Sequence, residues 1–238
     1  MLLSLLRRGS RKTSMPESSG NLGKYRSSNS LQRFLIRRFL AKIRAFYEGL
    51  PRGFLCEVGC GEGFVLRDFS DHGLLKNIPA TGLDISEESL RFAATLVPEV
   101  NFRNASAYEI PLGDKQCRCV MMLEVLEHLE DPGKALREAV RVGDFLLLSV
   151  PQEPLFMAAN FLRGKNWSRW GSDEEHINFW GKRSFRKLLE PHGEILRLET
   201  SFPWMIALVK TADIRPQATV IAALSSTGLS GGNPRAAI

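Results

Sequence analysis

The stretch Glu57-Val58-Gly59-Cys60-Gly61-Glu62-Gly63 places three glycines at alternate positions, after a short apolar run and before a helical pattern. Glycines there let the backbone turn tightly and approach a ligand where any Cβ would collide. Asp84 follows Gly63 by 21 residues, at the end of the next strand pattern. A carboxylate in that place can accept hydrogen bonds from both ribose hydroxyls of an adenosine. The loop departs from the dinucleotide fingerprint G-x-G-x-x-G: the third glycine comes one residue early, Phe64 fills its place, and Glu62 sits inside the loop. An acid is unfavourable where a helix N-terminus cradles a diphosphate, but a ligand without phosphates tolerates it. Glu57 suits a cationic amino-acid ligand. A nicotinamide-dependent oxidoreductase is therefore the least favoured reading.

Four other side chains have the chemistry of a general base. Glu124 ends the fourth strand pattern, where active sites of open α/β sheets gather, and His128 lies four residues further on. His176 belongs to Glu175-His176-Ile177-Asn178-Phe179-Trp180, just before a helical stretch that begins near Arg183. Glu153 sits between Pro151 and Pro154 after the fifth strand pattern. Each has a plainer role: His128 as a cap or packing group, His176 as a tie between loop and helix, Glu153 as a solvated side chain. Trp167 and Trp170 suit the packing of a loop better than an acceptor pocket.

The elements that must position these groups alternate. Short apolar strands are expected at Phe54–Val58, Pro79–Ile85, Val100–Ala105, Cys119–Leu123 and Phe145–Val150. Helices are expected from Phe64, over Glu87–Leu96 with Ser86 as N-cap, over Pro132–Arg141 and over 182–190. Glu194–Thr200 and Met205–Val209 read as a closing hairpin. This βαβα order argues for a parallel sheet with right-handed crossovers. Before it, Leu31, Phe34, Leu35, Phe39, Ile43, Phe46, Tyr47 and Leu50 recur at helical spacing among Arg33, Arg37, Arg38, Lys42 and Arg44. The expected organisation is a mobile basic tail over 1–30, an amphipathic helix over 31–50, an α/β domain over 51–211 and a loosely ordered tail over 212–238. Pro151–His176 is long enough to read as a lid or binding segment.

Here the chain resembles class I S-adenosylmethionine-dependent methyltransferases. Phe54–Phe64 looks like their first motif, Gly82-Leu83-Asp84-Ile85-Ser86 the second, Phe102–Pro111 the third, and Val120–Pro132 the fourth. The string Glu124-Val125-Leu126-Glu127-His128-Leu129 is similar to the small-molecule branch that includes ubiquinone-biosynthesis O-methyltransferases. The likeness covers roughly residues 45–210. It implies a Rossmann-like, doubly wound sheet of seven strands, mostly parallel with the last antiparallel, and S-adenosylmethionine across the carboxyl ends of the strands. It also implies that Glu57, Gly59, Cys60, Gly61 and Gly63 border the methionine part, Asp84 holds the ribose and Ile85 packs on the adenine. Ser106 stands where relatives carry an acid near the adenine amino group, and a serine hydroxyl can accept the same hydrogen bond. Cys117-Arg118 replaces the Phe-Asp of many relatives, a change that bears on packing. Glu124 borders both cofactor and acceptor, and Glu124, His128 and His176 become the catalytic candidates. The resemblance suggests a divalent metal on Glu124, Glu127 and His128, but three neighbouring residues rarely converge unaided, so no metal site is expected.

The net charge of +6 is unevenly placed. Residues 1–50 hold 11 Lys/Arg against Glu17 and Glu48, a local balance of +9 that leaves −3 for the remainder. Basicity confined to the N-terminal helix is compatible with plain capping of the domain, or with contact to an anionic membrane bearing a lipid-linked acceptor. Nucleic acid is disfavoured, because the rest of the chain is acidic and no stacking platform accompanies the helix. No run reaches the ~18 apolar residues of a membrane span, and Met1–Leu6 is too short for a secretory core. A cytoplasmic protein is expected, possible membrane contact being peripheral to the inner face. The four cysteines lack zinc-ribbon spacing and read as reduced thiols. The expected function is methyl transfer to a small-molecule acceptor, at oxygen, with lipid-linked or aromatic compounds as candidates. The alternative from another class is a non-catalytic cofactor-binding or partner-interaction module.

Overall fold

Each central strand is a short apolar run buried on both faces, so it must be covered twice. The computed structural model describes residues 30–152 and 177–212. Its elements are α1 (Ser30–Tyr47), β1 (Leu55–Val58), α2 (Phe64–Asp71), β2 (Ala80–Asp84), α3 (Glu87–Leu96), β3 (Asn101–Asn104), β4 (Cys117–Leu123), α4 (Pro132–Val142), β5 (Gly143–Pro151), α5 (Lys182–Leu189), β6 (Gly193–Ser201) and β7 (Trp204–Thr211). A 3₁₀ turn, Leu126–His128, lies between β4 and α4. The seven strands run in the order β3-β2-β1-β4-β5-β7-β6. β1 pairs in parallel with β2 and β4, and β4 with β5, while β7 runs antiparallel to both its neighbours. This is the expected doubly wound sheet with an antiparallel closing strand.

Alternation along the strands divides the core. Val120, Met122, Leu146 and Leu148 face a cluster with Leu136 and Ala139 of α4 and Phe185 and Leu189 of α5. Met121, Leu147, Ile206 and Leu208 face the opposite cluster, with Leu66 and Phe69 of α2 and Leu90 of α3. Phe39, Leu40, Ile43, Phe46 and Tyr47 of α1 complete that second layer. The helix is therefore part of the core. Arg44 pairs with Asp68 of α2 and Lys42 with Glu199 of β6, while the guanidinium of Arg197 lies 3.9 Å from the Phe46 ring centre.

Local signals set most boundaries. The Ser86 hydroxyl accepts from the Ser89 N–H, and Asp131 caps α4 at Lys134 N. Three details differ from expectation. The first helix ends at Tyr47, because a turn closes there with Leu50 N donating to the Tyr47 carbonyl. β4 starts at Cys117, since Cys117 pairs with Gly143 and Arg118 gains Asp144 as an ionic partner. The apolar stripe of α1 is buried only from Phe39 onward, leaving Leu31 and Phe34 51% and 59% exposed. The four cysteines are free and buried. The tails assigned to 1–30 and 212–238 lie outside the described residues except for Ser30, which begins α1, and Ala212; most of the segment after β5 lies outside them too.

Ile43 is fully buried, so Ile43→Ala should cost about 2–5 kcal/mol of unfolding free energy through lost burial and a residual cavity. A chemical denaturation curve with an unmoved midpoint would show that α1 is not part of the folded unit.

Candidate active site

The glycine loop is anchored at both ends. Gly59 and Cys60 N–H groups donate to the Leu83 carbonyl at 2.7 and 3.0 Å, fixing the loop to the end of β2. Gly59 has φ +73°, and a Cβ there would meet Val125 Cγ2 at 2.4 Å. Both facts exclude a side chain at this position. Gly61 and Gly63 share the left-handed backbone. The Cys60 side chain is 7% exposed, and burial raises its thiol well above the usual range. Cys60 thus serves the loop through its backbone, with the sulfur protonated.

Asp84 holds the other side of the crevice. Its Oδ2 accepts the Gly61 N–H at 2.8 Å, and its Oδ1 accepts the Ser86 N–H at 2.9 Å. Beside it Ile85 is 78% exposed, an apolar shelf at the edge of the crevice. Asn104 supports that shelf by donating its amide to the carbonyls of Asp84 (3.2 Å) and Ile85 (2.8 Å). Ser106 follows two residues later, its hydroxyl accepting from the Tyr108 N–H at 3.2 Å. The side chain that fits the adenine role is thus held in a local turn.

Glu57 is the electrostatic oddity. It is 2% exposed, and its Oε2 is buried with no hydrogen-bond partner. Burial, aided by the negative charge of Asp84, pushes its carboxyl up to about 8. A buried carboxyl without a partner is costly. It suits a ligand that brings an ammonium group, and opposes a ligand that brings a phosphate. Glu62 is also buried, a second acid in the loop.

On the far side of the loop, Glu124 follows β4 with φ +58°, a conformation that costs a non-glycine residue about 1–3 kcal/mol. Its N–H donates to the Ser149 carbonyl at 3.2 Å. Ser149 Oγ donates to Glu124 Oε1 at 3.2 Å, and Trp204 Nε1 donates to Glu124 Oε2 at 2.6 Å. His128 ends the 3₁₀ turn, exposed at the surface, while Glu127 is fully buried. Among the described residues no three His, Cys, Asp or Glu side chains gather to hold a metal ion. The turn is clamped from outside: Ile177 and Asn178 N–H groups donate to the Glu127 carbonyl, and the Asn178 amide donates to the carbonyls of Leu126 and Leu129. His176, Glu153, Trp167 and Trp170 lie outside the described residues.

Sequence reasoning singled out the loop, Asp84, Ile85 and Glu124, and passed over Asn104, Ser149, Trp204 and the clamp by Asn178, which the structure sets beside them. Asn104 ends a strand next to β2, a placement that could have flagged it. The contacts of Trp204 and Asn178 span 80 and about 50 residues, and no local pattern signals them.

Residues 56–144 match the family model described as a methyltransferase domain. A probable S-adenosylmethionine-dependent methyltransferase of Mycolicibacterium smegmatis is 31% identical over 103 residues, covering 42% of this chain and 38% of the relative. A ubiquinone biosynthesis O-methyltransferase of Caulobacter vibrioides is 32% identical over 104 residues, with the same coverage. The chain thus matches well under half the length of these curated relatives. Its fold is that of the magnesium protoporphyrin IX methyltransferase of Synechocystis, solved with bound SAH: TM-score 0.60, 18% identity, 82% of this chain and 95% of the other. Over residues 56–144 the chain is thus similar to a methyltransferase domain, on a fold shared with solved methyltransferases.

The raised Glu57 carboxyl has a thermodynamic sign. The folded chain holds this proton up to about pH 8, while the unfolded chain releases it near 4.3. Between those values the unfolded state binds fewer protons, so this group lowers stability as pH rises, by up to about 1.4 kcal/mol per pH unit. Glu57→Gln should flatten that slope in urea titrations run from pH 5 to 8; an equally steep slope in the variant would remove the assignment.

Proposed function

We propose that this chain transfers a methyl group from S-adenosylmethionine to an oxygen of a small-molecule acceptor. The observation that carries the reading is the buried, unpartnered Oε2 of Glu57 beside the glycine loop, with Asp84 and exposed Ile85 across the crevice. Those three groups match an ammonium, a ribose and an adenine. The cofactor supplies the activated methyl group, and the protein's work is to bind, align and exclude water.

Glu57 receives the ammonium as a carboxylate, so binding near neutral pH is accompanied by release of its proton. The glycines admit the ligand chain against bare backbone. Asp84 presents its carboxylate to the ribose hydroxyls while its N–H partners keep it oriented. Ile85 offers its apolar face to the base, and Ser106 stands at the adenine edge. Glu124, at the end of β4, faces the acceptor side. His128 and His176 are the groups that would take the hydroxyl proton.

A lipid-linked acceptor fits one further observation. Exposed Leu31 and Phe34 lie among exposed Arg33, Arg37 and Arg38 on α1, a surface suited to anionic headgroups and the top of the acyl layer. No described helix is long and apolar enough to cross a membrane, so this contact is peripheral. An aromatic small molecule is the other acceptor class.

Calorimetric titration should give dissociation constants in the micromolar range for S-adenosylmethionine and S-adenosylhomocysteine, and no binding of NAD. Asp84→Ala should weaken both by about 1–3 kcal/mol through loss of charged hydrogen bonds. Correctly folded protein that binds neither would end the proposal, and an unchanged affinity in the variant would end the ribose assignment. In sedimentation with phosphatidylglycerol vesicles, reversing Arg33, Arg37 and Arg38 to Glu should weaken binding at least about tenfold, at roughly 1 kcal/mol per basic residue. A wild-type chain that stays in the supernatant contradicts the membrane contact.

A further inference from the structure

Glu124 is held harder than its place in a loop requires. It adopts the left-handed backbone at φ +58°, which persists in a non-glycine residue only where the surroundings over-determine it. The surroundings come from two strands. Ser149 of β5 supplies a carbonyl and a hydroxyl to the backbone N–H and a hydroxyl to Oε1. Trp204, the first residue of β7, supplies its indole N–H to Oε2 at 2.6 Å, in the range of a charge-assisted hydrogen bond. An indole nitrogen only donates, so it selects the acceptor form of its partner. Pro151 pairs with Trp204 in the antiparallel ladder, which sets the indole opposite the end of β5.

The indole is itself braced. Its ring lies 4.7 Å, centre to centre, from the ring of Phe39, which is 5% exposed on α1. Phe39 is the first deeply buried residue of that helix; the turns before it carry exposed Leu31 and Phe34. Helix, indole and carboxylate form one contiguous chain of contacts from the basic face of α1 to the carboxyl end of β4.

We infer that Trp204 is a positioning residue for Glu124, and that α1, through Phe39, holds Trp204 in place. The inference rests on the reading that Glu124 faces the acceptor. It assigns α1 a role beyond sealing the sheet: the helix sets the orientation of an acceptor-side carboxylate. A surface that engages the start of α1 would then act on the site through one ring contact and one hydrogen bond.

The test uses the full chain with ¹⁵N-labelled tryptophan, with and without saturating S-adenosylhomocysteine. Among the four tryptophans, the Trp204 indole signal is the one lost in Trp204→Phe, a variant that keeps a ring against Phe39. In the wild type this N–H should exchange with solvent at least about tenfold more slowly than an exposed indole. Glu124→Gln should shift that signal and no other indole, and raise its exchange severalfold. Phe39→Ala should raise the same exchange severalfold, and Phe39→Leu should restore most of the protection. Trp204→Phe, Phe39→Ala and Phe39→Leu should hold the S-adenosylhomocysteine dissociation constant within about twofold. An indole signal indifferent to Glu124→Gln overturns the pairing, and one indifferent to Phe39→Ala overturns the role of α1. Loss of S-adenosylhomocysteine binding in the wild type defeats the cofactor reading instead, while the indole measurements on the unliganded chain still decide this one.

Discussion

The carboxylate of Asp84 ties the loop after β1 to the start of α3. One oxygen takes the N–H of Gly61 in the loop after β1; the other takes the N–H of Ser86, which starts α3. The parallel register of β1 and β2 brings them close, and the Leu83 carbonyl, bound by Gly59 and Cys60, keeps them there. The shape of this side of the crevice follows from that junction. The loop is open because glycine carries it, and Ile85 is offered to solvent because both its neighbours are engaged. The crevice has an acidic wall because Glu57 lies buried on the adjacent strand.

The site therefore has two electrostatic halves with different origins. Around Glu57 and Asp84 negative charge is held before any ligand arrives, and burial forces one carboxyl to keep its proton. Around Glu124 the carboxylate accepts hydrogen bonds from Ser149 and Trp204. The first half leaves a buried carboxyl oxygen without a partner, and the second has its partners built in. Such a division suits a reaction in which one substrate is cationic and the other must be oriented.

Legibility in the sequence followed the range of the forces involved. The glycine loop, the Ser86 cap, the strand pairs and Asp84 at its strand end were all readable, because each depends on neighbours within a few residues or on the regular alternation of the sheet. Glu124 was readable as a strand-end acid, but its left-handed backbone and its Trp204 partner were not. They depend on β7 lying beside β5, a pairing fixed only once the whole sheet closes. The helical period of α1 was visible over its full length, yet burial begins at Phe39. Periodicity reports which face is apolar and not where the domain beneath it ends. Asn104 and Asn178 look like ordinary polar residues until the carbonyls they satisfy are brought to them.

The segment that leaves the sheet at Gln152 and returns at Ile177 is fastened at both ends. Gln152 bridges to Trp180, its N–H reaches the Pro203 carbonyl, and Asn178 grips the turn after β4. The entropy of closing a chain between two fixed points grows only with the logarithm of its length. The mooring bonds at Gln152, Ile177 and Asn178 thus have to offset a closure cost that depends only weakly on how many residues lie between them.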